Sequence, residues 1–144
     1  MEDATRPKTR DLVRMQVPSH PVYVAFVRDS IYRLARQYRF SPQKCFDLKI
    51  ITGEALTNII KHAYDGKEDR PIFIEAAMFP DYVELRFRDL GRQQPIQAQH
   101  ARDLSDYRER GLGVYIISKL SDFHYYDQSH DVGTELVVKK RLSP

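Results

Sequence analysis

One stretch restricts the fold of this chain more than any other: the segment from Gly53 to Tyr64, GEALTNIIKHAY. It reads as the second half of a long amphipathic helix that opens after Ser41. Leu48, Thr52, Ala55, Leu56, Ile59 and Ala63 recur at steps of three and four, so they share one face, which is expected to be buried. Glu54, Asn58 and His62 recur at steps of four, and each such step advances about 40° around a helix. The three make a polar column on the shoulder of the apolar stripe. An acid, an amide and an imidazole beside a core are costly to desolvate unless something uses them. A metal-bound phosphate group is one such user.

Composition narrows the setting. A chain of 144 residues can bury a core. Residues 1–10 are polar and charged and are expected to be a flexible tail, with residues 11–142 as a single domain. No apolar run approaches the roughly 18 residues of a membrane span, and the N-terminus has no apolar signal region. The single Cys45 cannot form an internal disulfide, which fits a cytoplasmic setting. The net charge of +3 is not gathered into a basic stripe, so direct nucleic-acid binding is not expected.

Along the chain, Asp11 to Val17 alternates as a strand. Pro18-Ser19-His20-Pro21 breaks it, with Ser19 or His20 expected to open the next helix and Pro21 in its first turn. Val22 to Tyr38 has helical period. Its Arg33, Arg36 and Arg39 read first as a solvated face, and alternatively as a docking patch for an acidic partner. Ser41-Pro42 caps the central helix, and Asp65-Gly66 ends it. Ile72 to Phe79 and Tyr82 to Asp89 read as strands joined at Pro80-Asp81. In the second, Val83, Leu85 and Phe87 face one way and Glu84, Arg86 and Arg88 the other. Leu90 to Arg110 reads as a long loop of functional type. A short helix from Val114 to Leu120 and strands at Phe123 to Gln128 and Thr134 to Leu142 complete the chain.

Three glycine signals follow the polar column. Asp89-Leu90-Gly91 ends a strand, where a carboxylate can accept from an exocyclic amine and the glycine lets a flat base approach the backbone. Arg110-Gly111-Leu112-Gly113 opens a helix, where free backbone N–H groups and the helix dipole favour phosphate. Gly133-Thr134 starts a strand. Asn58 offers a neutral oxygen to Mg²⁺, which completes its shell with phosphates and water. Glu54, one turn earlier, can take a proton from an attacking hydroxyl.

With those residues in this order, the chain resembles the GHKL (Bergerat-fold) ATPases, and within them the stand-alone RsbW-type anti-sigma factor serine kinases. GEALTNIIKHAY is similar to the N box, RDLG to the first glycine box, ERGLGVYIISKLSD to the second, and GTELVVKK to the closing strand. The resemblance implies an α+β, two-layer α/β sandwich, with a mixed, mostly antiparallel sheet and helices on one face. It implies ATP and Mg²⁺ as cofactors, a sigma factor and a small STAS-type antagonist as partners, and a homodimer as the common state of such relatives. Glu54 would be the general base and Asn58 the metal ligand. Asp89 and Gly91 would receive the adenine, Thr134 would support it, and Gly111 and Gly113 would cradle phosphates. Leu112 lies between these two glycines. Lys61, His62 and Arg110 would face phosphate more loosely. The pattern departs at Arg92-Gln93, where a second glycine is usual. That departure keeps a second reading open, a partner-sequestering module with an eroded nucleotide site.

Overall fold

A computed structural model describes residues 11–93 and 113–142. The elements run β1 (Asp11–Pro18), α1 (Val22–Gln37), α2 (Pro42–Asn58), a π-helical turn (Ile59–Ala63), β2 (Pro71–Met78), β3 (Tyr82–Arg88), α3 (Gly113–Leu120), β4 (Phe123–Asp127) and β5 (Glu135–Arg141). The five strands form one sheet in the order β1-β2-β3-β5-β4. Every pairing among them is antiparallel, so the expected mixed sheet is antiparallel throughout its described strands. Two of the four pairings, β2-β3 and β4-β5, are hairpins. The chain returns through α3 and β4, so β5 enters beside β3.

Alternation decides which side of the sheet is covered. Ile72, Ile74 and Ala76 of β2, Val83, Leu85 and Phe87 of β3, and Leu136 and Val138 of β5 are buried on one side. They pack under Val27, Ile31 and Ala35 of α1 and Leu48, Ile51 and Leu56 of α2. The opposite side carries Arg14 paired with Glu75 at 3.1 Å, and Arg86 held between Glu84 and Glu135 at 2.8 Å each. Interleaved charges of this kind are what a sheet face not covered by helices requires. Lys140 is the exception on the helix side. It is buried, and Asp47 of α2 meets its ammonium at 3.1 Å.

The helix ends follow local chemistry. Ser41 Oγ accepts from the Lys44 amide at 3.2 Å, with Pro42 in the first turn, as its sequence predicts. Ser19 does not cap α1. It is fully buried, donates to the Lys67 carbonyl and accepts from the Arg70 amide at 3.0 Å, tying β1 to the segment before β2. His20 Nδ1 instead accepts from the Val22 amide at 3.1 Å, and Pro21 takes the cap position.

The central helix is not continuous to Tyr64. It ends as an α-helix at Asn58, and Ile59–Ala63 widens into a π-helical turn. Such turns often mark functional positions. Here the wider turn delivers a buried Tyr64, whose hydroxyl donates to the Pro71 carbonyl at 2.5 Å and accepts from the Leu90 amide at 2.8 Å. The chain then reverses at Asp65 (φ 51°) and Gly66 (φ 80°), where the Gly66 amide donates to Ile60 O at 2.7 Å.

Among the described residues no helix is long and apolar enough to cross a membrane. Of the long loop, only Leu90 to Gln93 falls within the described residues. Arg110, Gly111 and Leu112 lie outside them.

Candidate active site

α2, its π-turn, the end of β3, α3 and the start of β5 converge on one open cavity of about 60 Å³. Its apolar walls include Ala55 and Ile59 from the helix side, Phe87 and Leu136 from the sheet, and Val114 from α3. Asn58, His62, Asp89, Arg92, Tyr126 and Thr134 supply the polar atoms. A mostly apolar cleft with a few convergent polar groups is the usual form of a small-molecule site.

The polar column sits where its period places it. Glu54, Asn58 and His62 are each half-buried, between the core and solvent. The start of α3 rests on the first two. A Cβ built on Gly113 would lie 2.8 Å from Glu54 Oε2 and 3.0 Å from both polar atoms of the Asn58 carboxamide. A larger residue here would oblige the Glu54 and Asn58 side-chain ends to move aside. The acid and the amide on α2, about 60 residues earlier in the chain, are thereby set beside the first backbone N–H groups of α3. Lys61 is exposed and does not line the cavity.

Asp89 is the most perturbed carboxylate. It is 4% exposed, and its pKa is raised from 3.8 to about 6. Desolvation is the main cause. Hydrogen bonds from the backbone amides of Gly91 and Thr134, and the Arg88 charge, act in the opposite sense. The Gly91 amide donates to Asp89 Oδ1 at 2.9 Å, and the Asp89 amide donates to Thr134 O at 3.0 Å. A buried acid with a raised pKa in a cleft marks a functional candidate.

Gly91 and Gly133 are close-approach glycines. A Cβ on Gly91 would lie 2.3 Å from Ala63 O, the carbonyl that accepts from the Arg92 amide at 3.0 Å. A Cβ on Gly133 would lie 2.0 Å from Asp89 O, and Gly133 has φ of 83°. Gly133→Ala therefore meets both strain and overlap. The expected destabilisation is about 2–5 kcal/mol, or a fall in Tm of roughly 5–15 °C. Gly66→Ala is the control: φ is 80° but nothing lies within 4 Å, so strain alone costs about 1 kcal/mol. Thermal melting of the two variants checks the difference.

Three parts of the site carry no distinctive motif of their own. Tyr64 anchors the Leu90 amide from below. Tyr126 closes the cavity from β4. Gln128 Nε2 donates to Thr134 Oγ1 at 3.0 Å. Tyr64 closes the GEALTNIIKHAY segment, and its place there was the available signal. Tyr126 and Gln128 had none, because their contacts depend on how β4 is laid against β5.

Comparison with known proteins agrees with this geometry. The family profile described as Histidine kinase-like ATPase domain matches residues 17–140. A protein named serine-protein kinase RsbW from Listeria monocytogenes serovar 1/2a is 32% identical over 143 residues, covering 92% of this chain and 88% of its own. The protein of the same name from Listeria innocua serovar 6a is 34% identical over the same shares. That from Bacillus pumilus is 32% identical over 80% of this chain and 77% of its own. A profile that spans nearly the whole chain, and relatives matched along most of their length, lead to one conclusion: the chain belongs to the histidine kinase-like (GHKL) ATPase family, in its RsbW-type branch.

Proposed function

We propose that this chain is an ATP- and Mg²⁺-dependent serine/threonine protein kinase of the anti-sigma type. It would act in the cytoplasm, hold a sigma factor, and phosphorylate a small STAS-type antagonist. Residues 11–142 would work as one ATP-binding unit. One observation carries the reading: the seating of Gly113 on Glu54 and Asn58, beside a cavity that Asn58 and Asp89 both line. That arrangement fits a nucleotide laid from base to phosphates along the cleft. The names of the RsbW relatives support the choice of a protein substrate.

The residues fit the proposed nucleotide and ion. Asp89 offers a carboxylate oxygen to an exocyclic amine, and the Gly91 and Thr134 amides hold the carboxylate in place. Thr134 accepts from Gln128, which leaves its own hydroxyl hydrogen free to donate into the cavity. Asn58 offers one neutral oxygen, enough for a cation that draws its other ligands from phosphate and water. Bound Mg²⁺ would supply charge neutralisation at the phosphates. Glu54 stands one helical turn from Asn58, placed to take the proton from a serine hydroxyl of the antagonist. Positioning accounts for most of the remaining catalysis.

The second reading, sequestration without phosphotransfer, rests on Arg92-Gln93 standing where a second glycine is usual. Gln93 does not line the cavity, and its carboxamide is turned toward the carbonyls of the 128–133 turn. This supports the catalytic reading at Gln93, whereas Arg92 does line the cavity. The test is incubation of the chain with γ-labelled ATP, Mg²⁺ and a pull-down fraction from its native cytoplasm. Label transferred to serine of a small antagonist domain is the expected result. Absence of ATP binding at millimolar nucleotide would favour sequestration.

A further inference from the structure

Gln93 is where this chain departs from a glycine-rich pattern, and the structure gives the side chain definite work. Its Nε2 lies 2.9 Å from His130 O, 2.9 Å from Gly133 O and 3.4 Å from Gln128 O. Carbonyl oxygens only accept, so three of them converging on one atom require that atom to be the donor. The two amide hydrogens are shared over the carbonyls, and the turn between β4 and β5 is drawn onto the end of the first glycine segment. That segment is already stitched at each backbone amide from Asp89 to Arg92: to Thr134 O, to the Tyr64 hydroxyl, to Asp89 Oδ1 and to Ala63 O. Gln93 adds a second side-chain link from this segment across to the turn that carries Thr134, beside the Asp89 carboxylate, which accepts from the Thr134 amide.

We propose that Gln93 is a positioning residue for recognition of the base, clamping the 128–134 turn so that Asp89 and Thr134 are held at a fixed spacing. The inference rests on the nucleotide-binding reading above. Its consequence is selectivity. A carboxylate held in register with a hydroxyl donor matches a base bearing an exocyclic amine and rejects one bearing an oxo group at that position. A loosened turn lets Thr134 drift and relaxes the choice. Where a second glycine would leave the loop free, the glutamine ties it down.

The experiment compares the full chain with Gln93→Glu and Gln93→Lys. Binding of fluorescently labelled ADP and of GDP is measured, with unlabelled adenosine as a phosphate-free competitor. Amide hydrogen exchange at Gly133 and Thr134 is followed without ligand. Gln93→Glu keeps the size but turns acceptors toward three carbonyls. It is expected to weaken ADP and adenosine by about tenfold, to lower the ADP-over-GDP preference, and to speed exchange at Gly133 and Thr134. Gln93→Lys keeps the donors and should stay within about threefold of the parent for adenosine, a margin below one lost hydrogen bond. A merely structural role would lower Tm without moving the ADP-to-GDP ratio. Gln93→Ala replaces Gln93→Glu if the latter does not fold. Parent-like affinity and selectivity in the Glu or Ala variant overturn the proposal while leaving the nucleotide reading intact. A parent chain that binds no ADP overturns both.

Discussion

Glu54→Ala is expected to leave ATP bound and to reduce serine phosphorylation by about 10²- to 10⁴-fold, the usual worth of a positioned general base. Binding survives because Glu54 does not line the cavity, whereas Asn58 does. The fold survives because Glu54 is half-buried on the shoulder of α2 and lies outside the apolar core. Its Oε2 lies 2.8 Å from where a Gly113 Cβ would be, so truncation gives α3 slightly more room. Single-turnover transfer and equilibrium ATP binding, measured on the same preparation, separate the two effects. Unchanged transfer would remove Glu54 from the base role. A parallel loss of ATP binding would instead make it a structural support for the phosphate end of the site.

The second large effect combines opposite signs at one residue. Asp89→Asn keeps the shape of the side chain and removes its charge. The buried carboxylate has a pKa of about 6 rather than 3.8, so the folded protein holds the proton more tightly than the unfolded chain does. The acid's cost is therefore absent below pH 3.8, grows as pH rises toward 6, and is fully present above it. At pH 8 the asparagine variant should be more stable by about 3 kcal/mol, since each tenfold change in proton affinity corresponds to about 1.4 kcal/mol. That advantage should shrink as pH falls from 6 toward 4. The same variant should lose adenosine affinity by at least about tenfold, because an amide nitrogen repels the amine that a carboxylate accepts. Affinity of the parent for adenosine should likewise weaken as pH falls below 6. Denaturant melts at pH 8 and pH 4.5, with adenosine binding at the same values, check both halves. An Asp89→Asn variant that is no more stable at pH 8 would mean the carboxylate is better solvated than its burial indicates. Functional sites are often where a fold gives up stability, and the buried carboxylate of Asp89 fits that pattern.

The alternation in β3 and the periodicity of α1 and α2 were readable because each is a local pattern tied to one large interior. Val83, Leu85 and Phe87 all went to the core as the period of two required. The half-buried standing of Glu54, Asn58 and His62 followed from the same geometry on the helix. The widening at Ile59 was not readable, because no glycine or proline marks it. It exists to seat Tyr64 under Leu90 and to aim Ala63 O at Arg92, and both partners are distant in sequence. Ser19 was misplaced for a similar reason. Its local neighbours describe a helix cap, but a strong pair of partners at Lys67 and Arg70 outcompetes the helix end. Lys61, one position from His62 in the chain, projects to solvent because successive side chains in the π-helical turn point in different directions.

By itself, the order of residues determined that a polar column would flank a buried stripe and that glycines would stand at junctions of helix, strand and loop, while the resemblance of its motifs pointed to the GHKL ATPases. The first two follow from periodicity and from the conformations open only to glycine, which are properties of a few neighbouring residues. Tertiary structure alone decided that Gly113 would rest on Glu54 and Asn58, that Asp89 would be buried enough to hold its proton to about pH 6, and that Gln93 would bridge to a turn about 40 residues away. The reason is that each depends on which surfaces are pressed together. Desolvation and hydrogen-bond partnership are properties of a place in space, and no short segment contains them.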